Sequence, residues 1–234
     1  MLGESTGKII IPTLAHQMLK SAVDVIAKTA GLGIVTGAPG IGKTYALNAI
    51  ADDLRAEGVQ VVLVTVSPEI EGSIRSFCQA VTGYNEGSKY GAADALEASL
   101  RGYPFKGSPS PLVFIVYEAQ SLKPNIMELI RSIWDRGDKA RLYDRSAPAF
   151  GALLCGNKEF ISRGRKAKMA EFGPLRDRIT LRIALPNPGA NEFAALAEAM
   201  LPDNPPAQAA LVKGGRNEGT LRAVEKAFHL AGIL

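Results

Sequence analysis

GIVTGAPGIGKTYAL, residues 33–47, is the stretch that decides how the rest of the chain is read. Within it Gly37–Thr44 fits G-x-x-x-x-G-K-[ST] at every fixed position. It follows a short apolar run, GLGIVTG, and opens KTYALNAIADDLRAE, a helical segment over 43–57 that Gly58 stops. Strand, glycine-rich turn and helix, in that order, are the context in which this pattern binds phosphate. Gly37, Gly40 and Gly42 let backbone N–H groups turn inward around phosphate oxygens, and the helix N-terminus adds its partial positive charge. Lys43 has the reach for β- and γ-phosphates, and the Thr44 hydroxyl is a ligand for Mg²⁺. The expected cradle is therefore Gly37, Ala38, Pro39, Gly40, Ile41, Gly42, Lys43, Thr44 and Tyr45. No guanine-reading N-K-x-D pattern occurs, which favours ATP over GTP.

A cradle of this kind works with a second strand that ends in acid. LVFIVYEAQSL, residues 112–122, is the other strand suited to that role. Such strands usually finish with two carboxylates, the first holding the hydration shell of Mg²⁺ and the second orienting the attacking water. Here Tyr117 stands in the first place, and a phenol, with a reference pKa of about 10, brings no carboxylate near neutral pH. Glu118 remains to polarise a water, and Mg²⁺ is left to Thr44, the phosphates and solvent. The expectation is nucleotide binding with slow hydrolysis.

Outward from these two motifs, helical periodicity runs over 12–29, with Leu14, Leu19, Val23, Ile26 and Ala27 near one face. VQVVLVTV is nearly all apolar and β-branched, as a strand covered on both faces would be. Segments 69–82 and 92–101 read as helices, and 124–135 as another with an apolar face of Ile126, Met127, Leu129, Ile130, Ile133 and Trp134. AFGALLCGN is an apolar strand, and the alternating ITLRIALP suits a sheet edge. Strands alternating with helices imply right-handed crossovers and a parallel sheet. After Pro188 three short helical stretches suggest a small second domain, which divides the chain into 1–187 and 188–234.

The chain has 234 residues, 47% hydrophobic and 21% charged, enough for one large core and an appendage. A net charge of +4 is compatible with nucleic acid without requiring it. The two cysteines, Cys78 and Cys155, lie in apolar runs, as reduced core thiols do. With two histidines besides, no zinc-ligand spacing is present. No apolar run reaches the roughly 18 residues a membrane span needs, and the N-terminus has no signal-peptide pattern. A cytoplasmic location, without a membrane partner, is expected.

GIVTGAPGIGKT, LVFIVYEAQSLKPNIMELIRSIWD, ALLCGNKEF, PLRDRI and EGTLRAVEKA follow one another in the order found in AAA+ ATPases. Over roughly residues 10–232 the chain resembles the DNA-transposition group of that superfamily: protein B of Mu-like phages, the TnsC and IstB groups and related initiator-type proteins. DEAQ is usual in the Mu B group where this chain has YEAQ. The resemblance implies an α/β fold, a P-loop AAA+ three-layer αβα domain with a central parallel sheet and a small C-terminal helical lid. It implies that Asn157 is the polar sensor of the γ-phosphate and that Arg178 is an arginine finger for the neighbouring subunit, with Arg176 as runner-up. It also implies that Arg222 is the second sensor, in the lid. With Glu118, these are the residues expected to act in catalysis. The group's usual work is ATP-dependent oligomerisation, as ring or helical filament, on double-stranded DNA with little sequence preference, followed by delivery of that target to a transposase. The helix-turn-helix and further C-terminal domains of Mu B itself find no counterpart in this sequence.

Duplex binding of that kind needs lysines and arginines facing phosphates, and repeated weak contacts along an assembly can suffice. Candidates are Lys106, then Arg131, Arg136, Lys139, Arg141 and Arg145, and also Arg163, Arg165, Lys166 and Lys168. Aromatic residues, 6% of the chain, are too few and scattered for stacking on single strands. Three other classes compete: a loader or remodeller whose main partner is a protein such as a replicative helicase, a nucleotide-gated switch that never touches DNA, and, more weakly, a small-molecule kinase.

Overall fold

The structure, a computed structural model, describes residues 11–101, 112–144, 149–160 and 174–231. It divides into two compact units that are discontinuous in sequence. One comprises 1–19, 37–49 and 185–234, and the other 20–36 and 50–184.

The larger unit is built on a five-stranded parallel sheet. Its strands are β1 (Leu32–Thr36), β2 (Gln60–Thr65), β3 (Leu112–Tyr117), β4 (Phe150–Gly156) and β5 (Ile179–Ala184), in the order β2-β3-β4-β1-β5. The register sets Tyr117 against Cys155 and Gly156 against Thr36, so the carboxyl ends of β1, β3 and β4 share one edge. In parallel sheets that edge is where ligands bind. β1 and β4 are buried along their whole length, and β3 from Leu112 to Val116.

Alternation along the central strands sends successive side chains to opposite faces. Leu32, Ile34, Phe114, Val116, Phe150, Ala152 and Leu154 point to one face. There they pack with α3 (Ile74–Thr82), α4 (Lys89–Arg101) and α5 (Pro124–Tyr143). Phe77, Phe114 and Phe150 form an edge-to-face series with centroids 6.5 and 6.4 Å apart. Toward the opposite face, Ile26 of α1 (Leu14–Thr29) approaches so closely that a Cβ on Gly151 would lie 2.3 Å from its carbonyl oxygen. The result is a three-layer αβα arrangement, as the resemblance implies. α2 (Lys43–Ala56) follows the glycine-rich loop.

Several local expectations change. The apolar run of β2 suggests a strand covered on both faces, but the topology places β2 at an edge. There Val61, Val62 and Leu63 are half-buried and Val64 alone is buried. β-Branched content reports strand propensity as well as burial. β5 is the other edge strand, with the alternation its sequence shows. α3 begins at Ile74 rather than 69, because the Ser73 hydroxyl caps it by accepting from the Ser76 N–H at 3.2 Å. α4 begins at Lys89, and α5 continues eight residues beyond the expected end. Leu14 lies outside the apolar face of α1, and Ala15 and Ala22 complete it with Leu19, Val23 and Ile26. Cys78 and Cys155 are buried and not joined in a disulfide, and burial raises the Cys78 pKa to about 11.

In the other unit α6 (Ala190–Met200), α7 (Pro205–Glu218) and α8 (Leu221–Ala231) close around Phe193, Leu196, Ala197, Leu211, Leu221 and Val224. Glu192 fastens the start of α6: one carboxylate oxygen accepts from the Gly189 N–H at 2.6 Å and the other from the Leu14 N–H at 2.8 Å. Asn204 caps α7. Among the described residues, no helix is long and apolar enough to cross a membrane.

Candidate functional site

The first constellation belongs to the smaller unit. The chain leaves β1 at Thr36 and turns through 37–42 before α2 begins at Lys43. Gly40 and Gly42 hold φ of +76° and +90°, a region where a Cβ is strained, so the motif's glycines are required by the turn itself. The Lys43 side chain is 5% exposed. Its Nζ donates to the carbonyls of Gly37 at 3.0 Å and Ala38 at 2.8 Å. A buried ammonium must be paired, and here part of that pairing comes from main-chain oxygens of the loop it serves. Gly40 sits against the start of α8: its carbonyl accepts from the Arg222 N–H at 3.2 Å. A Cβ added at Gly40 would lie 3.1 Å from that of Thr220 and 3.3 Å from that of Arg222. The Arg222 side chain is exposed, while Leu221 and Val224 of the same helix are buried. Thr44 and Tyr45, on the first turn of α2, are exposed. Left-handed glycines, an ammonium held at the loop and an exposed threonine on the first helical turn are a set that fits a triphosphate and its Mg²⁺.

The second constellation belongs to the larger unit. Glu118 follows β3 with φ +59° and ψ +35°, left-handed backbone in a residue other than glycine. Such geometry costs on the order of 1 kcal/mol and collects at functional positions. A single turn of 3-10 helix, Ala119–Ser121, comes next. On it, the Gln120 amide nitrogen donates to Glu118 Oε2, and the Gln120 carbonyl oxygen accepts from the Asn157 N–H at 3.1 Å. Asn157 immediately follows β4. Its Oδ1 accepts from the Glu159 N–H at 3.0 Å, a local turn bond. The structure thus brings Glu118 and Asn157 together through a residue that sequence reading assigned no role. The amide two positions after the acid is visible in the sequence, but the partner that gives it meaning lies 37 residues away. Tyr117, in the usual place of a first carboxylate, is half-buried.

Arg178 is 38% exposed and engages Asp135 of α5 with Nε and Nη2, at 3.2 and 3.3 Å. Asp135 also accepts from Arg131, which is paired in addition with Glu128. The hydrogen bond from Arg131 holds the Glu128 carboxyl below the ordinary range, against a smaller opposing effect of desolvation, and Glu128 raises the Arg131 guanidinium in turn. The Arg131–Asp135 spacing of one helical turn is legible in sequence, but the bond from Arg178 spans 43 residues and is not. Arg136 reaches across to α4, where Nε contacts Glu97 Oε2 at 2.9 Å and Nη2 at 2.5 Å. Arg176 is exposed. Among the remaining DNA candidates, Lys139 is exposed and Arg141 Nη1 lies 3.5 Å from the Thr29 carbonyl. Lys106, Arg145, Arg163, Arg165, Lys166 and Lys168 lie outside the described residues.

The sequence matches a family model described as an AAA domain over residues 26–163, more than half the chain. No curated protein sequence matches it. Among solved structures, the fold is similar to the ORC2 protein of Aeropyrum pernix in ADPNP–ADP complexes. The TM-score is 0.60 and the identity 18%, over 94% of this chain and 62% of that one. It is similar to the ORC1 protein of Aeropyrum pernix in complex with DNA, with TM-score 0.60 and 13% identity over 95% and 60% of the two chains. It is also similar to the replication initiator DnaA bound to AMPPCP and single-stranded DNA, with TM-score 0.59 and 14% identity over 97% and 61%. The chain spans about three fifths of the length of these proteins.

Proposed function

Because the chain belongs to the AAA+ ATPase family, we propose that it is an ATP-dependent, DNA-binding assembly factor with slow hydrolysis. One observation carries the reading: the loop 37–44, with Gly40 and Gly42 left-handed and Lys43 buried against loop carbonyls. Lys43 exchanges those carbonyls for the β- and γ-phosphates of ATP, and the loop's main chain supplies the remaining donors. Mg²⁺, with Thr44 as its protein ligand, supplies neutralisation of phosphate charge. Glu118 orients and polarises the attacking water. Asn157 offers its Nδ2 to the γ-phosphate or the water. Arg178 is the finger offered to a neighbouring copy, and Arg222 the sensor in the lid 188–234. Tyr117 replaces the acid that would organise the metal's water shell, which is the ground for slow turnover.

Duplex DNA, a second copy of the chain and a transposase are the proposed partners, with delivery of target DNA as the outcome. The resemblance of YEAQSL and its flanks to the transposition ATPases supports the last of these, and the DNA in the ORC1 and DnaA structures supports a nucleic-acid partner. The test is sedimentation of purified protein with random duplex DNA at low and high salt, with ATP, with a non-hydrolysable analogue and without nucleotide. Co-sedimentation that needs the analogue and weakens with salt is expected. A protein that stays monomeric with the analogue and DNA both present overturns the reading. Tyr117→Asp is expected to raise the hydrolysis rate, and an unmodified protein turning over hundreds of times per second overturns slow turnover. The second reading, a protein remodeller, is favoured by the occupation of Arg131 and Arg136 in internal ion pairs. Helicase loading without stimulation of a transposase distinguishes it.

A further inference from the structure

We propose that Gln120 is the positioning residue of the hydrolytic site, acting as a two-ended clamp that ties the Glu118 carboxylate to the start of the segment after β4. The inference rests on the assignment of Glu118 as the group that activates water.

An amide side chain has a donor end and an acceptor end, and here each end meets its complement. The NH₂ faces the Glu118 carboxylate, which only accepts, and the carbonyl faces the Asn157 N–H, which only donates. Glutamate at 120 would set two carboxylates against each other. Leucine would fill the space and bond neither partner. The neighbouring backbone is shaped around this side chain: a Cβ at Gly156 would lie 2.7 Å from Gln120 Oε1, so any residue larger than glycine at 156 displaces the clamp. Glu118 keeps its left-handed backbone beside it.

The clamp has a mechanistic consequence. A glutamate side chain has several rotatable bonds, and a general base displaced by about 1 Å can lose on the order of a hundredfold in rate. The Gln120 bond removes that freedom on the acid side. Because its other end is held by Asn157 main chain, a shift of the β4 terminus moves the carboxylate with it. The residue assigned to sense phosphate and the residue assigned to activate water are thereby linked through one amide.

The test is steady-state ATP hydrolysis by the full chain with DNA, alongside equilibrium binding of a fluorescent ATP analogue. Wild type is compared with Gln120→Leu, Gln120→Glu, Glu118→Gln and the double variant Glu118→Gln/Gln120→Leu. Gln120→Leu is expected to lower kcat about tenfold to a hundredfold with KM and analogue affinity unchanged. The double variant should be no slower than Glu118→Gln alone, since the clamp acts only through the acid. Gln120→Glu should regain rate as pH falls, because protonating the new carboxyl restores a donor to Glu118. A purely structural role for Gln120 would not produce that acid recovery. Circular dichroism of each variant separates unfolding from loss of alignment, and Gln120→Glu, which keeps the volume and an acceptor, serves if the leucine variant fails to fold. Wild-type turnover with an equally fast Gln120→Leu, or with no acid recovery in Gln120→Glu, overturns the inference alone. A wild type that binds ATP and never hydrolyses it overturns the hydrolytic reading and the inference together.

Discussion

The phosphate loop and the acid end of β3 solve the same problem, holding a polar group in one place, by different means. In the loop the holding is done largely by main chain: glycines at positive φ, carbonyls of Gly37 and Ala38 around Lys43, and the Gly40 carbonyl receiving the Arg222 N–H. Beyond β3 it is done by one side chain, Gln120, bridging the Glu118 carboxylate and the Asn157 main-chain N–H. A main-chain device restricts residue type where its backbone is left-handed, as at Gly40 and Gly42, because a Cβ is strained there. It is therefore visible as a pattern in sequence. A side-chain device needs only a complementary pair at the right place in space, which a string of letters does not display.

Substitutions separate the two devices. The largest effect is expected at the carboxylate. Glu118→Gln should lower the rate of ATP hydrolysis by about 10²–10⁴-fold while nucleotide binding, read by analogue fluorescence, persists. Retention of full activity would remove Glu118 from the chemistry. The core of the larger unit comes next: Phe114→Ala, at the centre of the edge-to-face series, should destabilise by about 3–5 kcal/mol in denaturant melts. Two glycines then test the main-chain device directly. Gly58 has φ +83° with open space around it, so Gly58→Ala should cost about 1 kcal/mol of stability and leave nucleotide affinity alone. Gly40→Ala meets Thr220 and Arg222 as well as the same strain and should weaken affinity in addition. Equal behaviour of the two would show that the loop needs no close contact.

The smallest effect concerns charge. The Arg136 hydrogen bond, opposed by partial burial and aided by Arg101, holds the Glu97 carboxyl below its usual range. A depressed pKa contributes stability that is present above the ordinary glutamate value of about 4.3 and lost as pH falls through the folded value. Glu97→Gln should therefore cost at most about 0.5–1 kcal/mol near neutrality, since Arg136 is half-exposed and screened. That difference should vanish in acid melts, and a difference that persists there would assign the effect to packing.

How much was legible follows the same division. The order of strands and helices, the buried run of β4 and the alternation of β5 are local patterns, and the sequence displays them. The edge position of β2 was hidden, because Val61, Val62 and Val64 speak for strand geometry without naming neighbours. At the site, Gly37–Thr44 and Glu118 could be picked out from spacing. Gln120 could not, since its meaning depends on Asn157, 37 residues away. Nor could the hold of Asp135 on Arg178, which joins a helix to the approach of the last strand.

The bond between Arg222 and Gly40 joins the tail of the chain to its first signature loop by peptide atoms alone. Replacing the arginine leaves that tether intact, so a side-chain substitution there erases any charge-based readout of the nucleotide without unfastening the last helix. Cutting the helix away removes both. Comparing the point substitution with the truncation therefore divides listening from leverage.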